Sequence, residues 1–166
     1  MTVTSGAPPA TTSAPTPADH FHTYLLAMKK AEREWNHADR LWRKDDPTHY
    51  YADTASWPAT GRKLVKVRGL FDDTAVYVTG ITPPAGLRKA TSSWISSVKL
   101  ISALVDSYVT AFKYKDSAVM YRLDNNQGRL HQIGTLRTAW RIAVLARAKQ
   151  LGVKVPPALL KVGTGY

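Results

Sequence analysis

The chain has 166 residues, of which 44% are apolar and 10% aromatic, enough to build the core of one folded domain and too many for disorder throughout. It has no cysteine, which excludes disulfides, thiolate metal sites and a cysteine nucleophile. The formal net charge is +11, and it is uneven: Lys and Arg outnumber Asp and Glu by 17 to 5 from residue 62 onward, against 6 to 7 before it.

The first segment, residues 1–17, is an uncharged run of small residues, Thr and Pro. It has neither the basic start nor the continuous apolar stretch of a secretory signal, so we expect a cytoplasmic protein or a component of a nucleoprotein particle. The composition predicts a flexible, partly polyproline arm. Because the arm contains no Lys or Arg, we expect it to point away from an anionic partner or to touch a protein.

The next segment has the clearest periodicity in the chain. Large apolar residues recur every seven positions, and they are Phe21, Met28, Trp35 and Trp42. This seam predicts one long amphipathic helix over residues 18–44, which Pro17 and an Asp19 cap would begin. Small alanines alternate with the large residues, so the seam should mesh with another helix of the same fold or, through self-assembly, with a second subunit.

Two later segments also have helical spacing. Apolar residues step by three and four over residues 84–112, where Pro84 suits the first turn. Lys99, Asp106 and several serines fall inside that stretch, so no transmembrane segment is expected. The later of these two segments is predicted to be a helix over residues 135–151, and Gly152 ends it.

Two stretches between these helices are ambiguous. Residues 64–80 are rich in valine around two aspartates, which favours a short β-hairpin over a helix. Residues 118–136 contain a strong turn signal, which indicates either a corner between two helices, the favoured reading, or a second hairpin. The predicted fold is mainly α, a three- or four-helix bundle over residues 18–152 with a possible small hairpin and a C-terminal tail over residues 153–166. An α+β fold is the alternative.

Enzyme signatures are missing from the sequence. There is no phosphate-binding loop ending in Gly-Lys-Ser/Thr, no Gly-x-Gly-x-x-Gly, no Gly-x-Ser-x-Gly and no His-Glu-x-x-His. The five histidines are scattered, and the one mixed titratable cluster, around His49, reads as a helix-end cap network. We therefore predict a protein that is not an enzyme and has no cofactor or metal site.

The cations toward the C-terminus are the best functional signal. No acid follows Asp124, whereas seven Lys and Arg do. Arg137 and Arg141 would lie one helical turn apart, where two guanidinium groups could hold successive phosphates. Aromatic residues beside other cations could stack on bases, although core positions explain each aromatic more simply. The predicted nucleic-acid-binding residues are Lys113, Lys115, Arg122, Arg129, Arg137, Arg141, Arg147 and Lys149.

These observations predict a nucleic-acid-binding protein that coats or organises DNA or RNA through a basic surface with little sequence preference, in a nucleocapsid- or nucleoid-like role. A helical accessory or scaffold protein that binds an acidic protein partner is the alternative. Peripheral membrane attachment ranks last, because the C-terminal helix lacks separate basic and apolar faces.

Overall fold

The computed structural model describes residues 14–44, 55–125 and 127–163. Within these ranges the chain forms six helices and no strand, which confirms the prediction of a mainly α bundle. The four long helices are α1 (Pro17–Lys44), α2 (Trp57–Thr79), α3 (Arg88–Tyr114) and α5 (Gln127–Leu151), and the two short ones are α4 (Ser117–Asp124) and α6 (Pro157–Leu160). Most of the predicted N-terminal arm and the cluster around His49 lie outside the described residues.

Helix α3 is the central helix of the bundle. It packs against α2, α4 and α5, while α1 packs against α2, α5 and α6. Among the described helices, α3 alone is long and apolar enough to cross a membrane, and half of that apolar stretch is buried inside the bundle. Its apolar composition is therefore used in the core, where it meets neighbours on several sides.

The aromatic seam of α1 belongs to this core. Phe21, Met28 and Trp35 are fully buried, and Trp42 packs edge-on against Tyr108 with ring centroids 5.1 Å apart. Trp35 makes similar edge contacts with Phe71 and Trp94, at 5.1 and 6.2 Å. Such aromatic pairs add about 0.5–1.5 kcal/mol each beyond the area that they bury. The seam thus meshes with other helices of the same fold, and self-assembly of the protein stays a prediction.

A chain of buried hydrogen bonds links α1, α3 and α5. Trp140 Nε1 donates to the Tyr24 hydroxyl at 2.8 Å, and the hydroxyl groups of Tyr24 and Thr91 are 2.7 Å apart. Thr91 Oγ1 donates to the Leu87 carbonyl oxygen at 2.9 Å, so the proton between the two hydroxyls must come from Tyr24. Each of the side-chain groups in this series of hydrogen bonds has a partner, which fixes the register of the three helices.

Helix α1 begins with a reciprocal capping box. Thr16 is the N-cap, because its Oγ1 accepts a hydrogen bond from the Asp19 N–H at 3.2 Å. The Asp19 carboxylate accepts in return from the Thr16 N–H at 2.9 Å and from the Thr16 hydroxyl at 2.7 Å. The predicted Asp19 cap thus lies three residues inside the helix and works together with Thr16.

The predicted hairpin over residues 64–80 is wrong. Residues 64–79 belong to α2 and Gly80 is its C-cap; the buried residues of α2 include Leu64, Val67, Phe71, Thr74, Ala75 and Val78. These positions follow three- and four-residue spacing, whereas Val65 and Val76 face outward. Valine disfavours an isolated helix only slightly, and packing against α1 and α3 outweighs that preference.

The starts of α3 and α5 differ from the predicted helix boundaries. Helix α3 begins at Arg88, because Pro84 and Leu87 instead form a turn closed by a 3.0 Å backbone hydrogen bond. Helix α5 begins at Gln127, eight residues earlier than predicted. The favoured corner between two helices is confirmed, since α4 ends at Asp124 immediately before it.

The segment after α5 is part of the folded unit. Val155, Leu159 and Val162 are buried in the common core, so the structured chain extends to residue 163, past the predicted boundary at 152. Gly163 has φ +80°, and a Cβ there would lie 2.5 Å from Thr138 Oγ1. Only glycine permits this close approach of the C-terminal segment to α5.

Candidate functional site

Arg137 lies inside the bundle. It is 2% exposed, and its Nη2 donates to Glu32 Oε2 at 2.7 Å. Trp94 Nε1 donates to the other carboxylate oxygen of Glu32, also at 2.7 Å. The guanidinium carbon lies 3.9 Å from the Trp35 ring centroid and 5.7 Å from that of Trp94. A phosphate in solvent cannot reach this group, so the prediction that Arg137 binds nucleic acid is wrong.

The buried pair also changes how the net charge is distributed. Glu32 and Arg137 cancel, so the formal charge of +11 falls entirely on the rest of the chain. The Nε and Nη1 atoms of Arg137 have no hydrogen-bond partner, although the Trp35 ring lies against the guanidinium. The Arg137 guanidinium is therefore part of the core, where it contacts the Glu32 carboxylate and the indole rings of Trp35 and Trp94.

The other predicted cations of α5 do not form one surface. Arg141 is half-buried, and its Nη1 donates to the Leu160 carbonyl oxygen at 3.2 Å. Arg147 is also half-buried and donates to Gln150 Oε1 at 3.1 Å. Six residues turn a helix by about 240°, so Arg141 and Arg147 point in different directions. Lys149 is exposed, but it lies near the end of α5 that is far from Arg129.

Four of the predicted residues lie on consecutive segments of the fold, where α3 ends, α4 turns and α5 begins. They are Lys113, Lys115, Arg122 and Arg129, and all four are exposed. None of them forms an ion pair within the described part of the chain. The nearby acids have other contacts: Asp116 accepts the Val119 N–H at 2.9 Å, and Asp124 accepts the Tyr108 hydroxyl at 2.7 Å. The corner therefore presents unpaired positive charge.

Two tyrosines lie among these cations. Tyr114 is 68% exposed and Tyr121 is 66% exposed, which is unusual for large aromatic side chains in a chain whose tryptophans are mostly buried. Lys113 Nζ lies 5.2 Å from the Tyr114 ring centroid. We call Lys113, Tyr114, Lys115, Tyr121, Arg122 and Arg129 together the corner surface. Core positions seemed the simpler explanation for both tyrosines, and their exposure shows that this explanation is wrong.

The backbone at Lys115 creates the corner. Lys115 has φ 54° and ψ 39°, in the left-handed region, and its N–H closes α3 by donating to the Phe112 carbonyl oxygen at 3.4 Å. Asp116 then caps α4, so only two residues separate α3 from α4. Helix α4 packs against α3 across this turn, and Tyr114 before it and Tyr121 after it are both exposed.

Sequence reasoning missed Glu32, although a signal was available. Glu32 lies four residues after Met28 and three before Trp35, on the apolar stripe of α1. A carboxylate in such a stripe predicts a buried ionic partner.

The part of the chain that the structure describes contains no cluster of three or more His, Asp or Glu side chains that could hold a metal ion. The titratable side chains described above serve as caps, core pairs and surface cations. Comparisons with protein-family models, with curated proteins and with solved structures found no match to this chain.

Proposed function

We propose that the protein binds nucleic acid through the corner surface and that it has no enzymatic activity. One observation carries the proposal: two tyrosines about two-thirds exposed lie among four exposed cations that have no ion pair in the described residues. Exposing large aromatic rings sacrifices hydrophobic stabilisation, so a ligand that covers them is a physical reason for keeping them.

The chemistry of this surface matches a single strand better than a duplex. Lysine and arginine side chains attract phosphates, and a tyrosine ring offers a flat face on which a base can stack for about 1–3 kcal/mol. In a duplex the base faces are already stacked on one another and are hidden from such a ring. Neither interaction reads the identity of a base, so little sequence preference is expected.

The remaining cations contribute at longer range. Arg141, Arg147, Lys149 and the exposed cations of the other helices create a positive field that steers a polyanion toward the protein. A surface of this size covers a short stretch of strand, so covering a long polymer requires many copies of the protein. A coating or organising role for DNA or RNA follows from this requirement.

The test compares several polyanions. Single- and double-stranded oligonucleotides of about 15 nucleotides, poly-glutamate and anionic phospholipid vesicles are titrated at about 50 and 200 mM salt. The proposal predicts tightest binding to the single strand, with affinity falling about 50-fold between the two salt concentrations if each of the four cations neutralises one phosphate. Tighter binding to poly-glutamate or to vesicles would contradict the proposal and would favour an acidic protein or a membrane as the partner.

A further inference from the structure

An open groove of about 240 Å³ lies between α2 and α3, next to the corner surface. Its lining residues are Pro58, Gly61, Arg62, Val65, Val109 and Lys113. The two helices approach closely at Gly61, since a Cβ there would lie 3.3 Å from the Phe112 Cβ. The groove is therefore a shallow apolar slot with cations at its edge.

The charged residues that line the groove are both positive. Arg62 and Lys113 are both exposed, and neither forms an ion pair within the described residues. No acid lines the groove. The closest acid along α3 is Asp106. It forms an ion pair with Arg68 of α2, farther along the interface between the two helices. An occupant should thus combine an apolar group with negative charge.

The groove is continuous with the corner surface through Lys113, which lines the groove and lies over the Tyr114 ring. A strand that stacks one base on Tyr114 would bring its neighbouring phosphate and base toward Lys113 and the groove. A nucleobase is flat, has apolar faces and carries a phosphate on its backbone, which matches an apolar slot between two cations.

We propose that this groove holds one base of the bound single strand, between Val65 and Val109, while Arg62 and Lys113 contact the flanking phosphates. The inference rests on the proposed function and adds a second base-binding position to the corner surface. It makes base content, as well as charge, a determinant of affinity.

Val65→Gln tests this inference, with Val76→Gln as its matched control. Both substitutions make the same chemical change on α2, and the two valines are 42% and 72% exposed, but Val76 does not line the groove. Affinity is measured for a single strand of about 15 nucleotides and for an abasic strand of the same length. The inference predicts that V65Q lowers affinity for the base-bearing strand about 5- to 10-fold relative to V76Q and leaves affinity for the abasic strand unchanged.

Each other outcome has a definite meaning. If V65Q and V76Q bind the base-bearing strand with equal affinity, the groove does not hold a base. The same conclusion follows if V65Q loses affinity equally for the base-bearing and the abasic strand. Affinity for a fatty acid is measured as well. If V65Q loses affinity for the fatty acid and not for the base-bearing strand, the groove binds an amphiphile and the inference is overturned. Failure of the wild-type chain to bind either strand overturns the proposed function itself. Circular dichroism checks folding, and Val65→Thr, which keeps the side-chain shape, replaces V65Q if that variant does not fold.

Discussion

The guanidinium group of Arg137 on α5 donates to the carboxylate of Glu32 on α1 at 2.7 Å, and both side chains are almost completely buried. The two residues are 105 positions apart in the chain, and their contact joins α1 to α5. Trp94 of α3 holds the second carboxylate oxygen, so three helices meet at one ionic group. A residue that the sequence suggests as a phosphate ligand is thus a central contact of the fold.

Breaking this pair should destabilise the protein strongly. Glu32→Gln and Arg137→Met each leave one charge or polar group buried without its partner, which typically costs about 3–5 kcal/mol. Urea denaturation measures the free energy of unfolding, and the double variant should lose less than the sum of the two single losses. Arg129→Met, on the exposed surface of the same helix, is the control and should change stability by less than about 0.5 kcal/mol. Equal stability of all four variants would show that the pair contributes nothing.

The buried Tyr24 hydroxyl should make stability depend on alkaline pH. Burial raises the pKa of Tyr24 above its ordinary value of 10.0, while the hydrogen bond that Trp140 donates to its oxygen acts in the opposite direction. A raised pKa in the folded state means that the neutral hydroxyl stabilises the fold below pH 10.0 and that this contribution disappears as pH rises through the folded pKa. Denaturation at several pH values should therefore show a loss of stability in the wild-type chain above pH 10.0 that is smaller in Tyr24→Phe.

Tyr24→Phe should itself be destabilising at neutral pH. It leaves the Trp140 N–H without its acceptor and the Thr91 hydroxyl oxygen without its donor, and each unsatisfied group typically costs about 1–3 kcal/mol. Tyr114→Phe removes the same hydroxyl from an exposed ring and serves as the control. Identical unfolding midpoints for the two variants would contradict the hydrogen-bond chain.

The capping box at the start of α1 should shift the titration of Asp19. Hydrogen bonds from the Thr16 hydroxyl and backbone N–H lower the pKa of the Asp19 carboxyl below its ordinary value of 3.8. Because the folded pKa is the lower one, the carboxylate stabilises the helix start above pH 3.8, and this effect is lost as pH falls through the folded pKa. In an NMR titration, Thr16→Ala should raise the pKa of Asp19 toward 3.8. An unchanged titration would mean that Thr16 does not hold the carboxylate.

Lys115→Gly should separate stability from binding. Lys115 has φ 54°, where a side chain costs about 1 kcal/mol relative to glycine, and glycine is the preferred residue at the end of a helix. The variant should be more stable to heat and yet bind single strands more weakly, because it removes one cation of the corner surface. A more stable variant that binds as tightly as the wild-type chain would remove Lys115 from the proposed surface.

The sequence predicts the helices whose apolar spacing is regular, and it fails where local preference and packing disagree. Residues 64–80 look like a hairpin because of their valines, but burial of one face against α1 and α3 makes them a helix. The turn signal near Asp124 locates the α4–α5 corner correctly.

For the candidate site, charge alone cannot distinguish a buried cation from an exposed one. Arg137 shares the buried face of α5 with Trp140 and Val144, and that spacing could have shown that it lies in the core. Tyr114 and Tyr121 lie on either side of the left-handed turn at Lys115, and both are exposed. A left-handed lysine has no sequence signature, so the exposure of these two tyrosines could be recognised only from the fold.

The salt dependence of single-strand binding, measured for Lys113→Gln with Lys115→Gln, tests the corner surface most directly. Arg88→Gln with Lys89→Gln removes the same charge from two exposed positions at the opposite end of α3 and is the matched control. If the two lysines contact phosphates, the slope of log affinity against log salt should fall in magnitude by about 1.4 in the first double variant and should keep its wild-type value in the control. Equal slopes for the two double variants would contradict a binding surface at this corner.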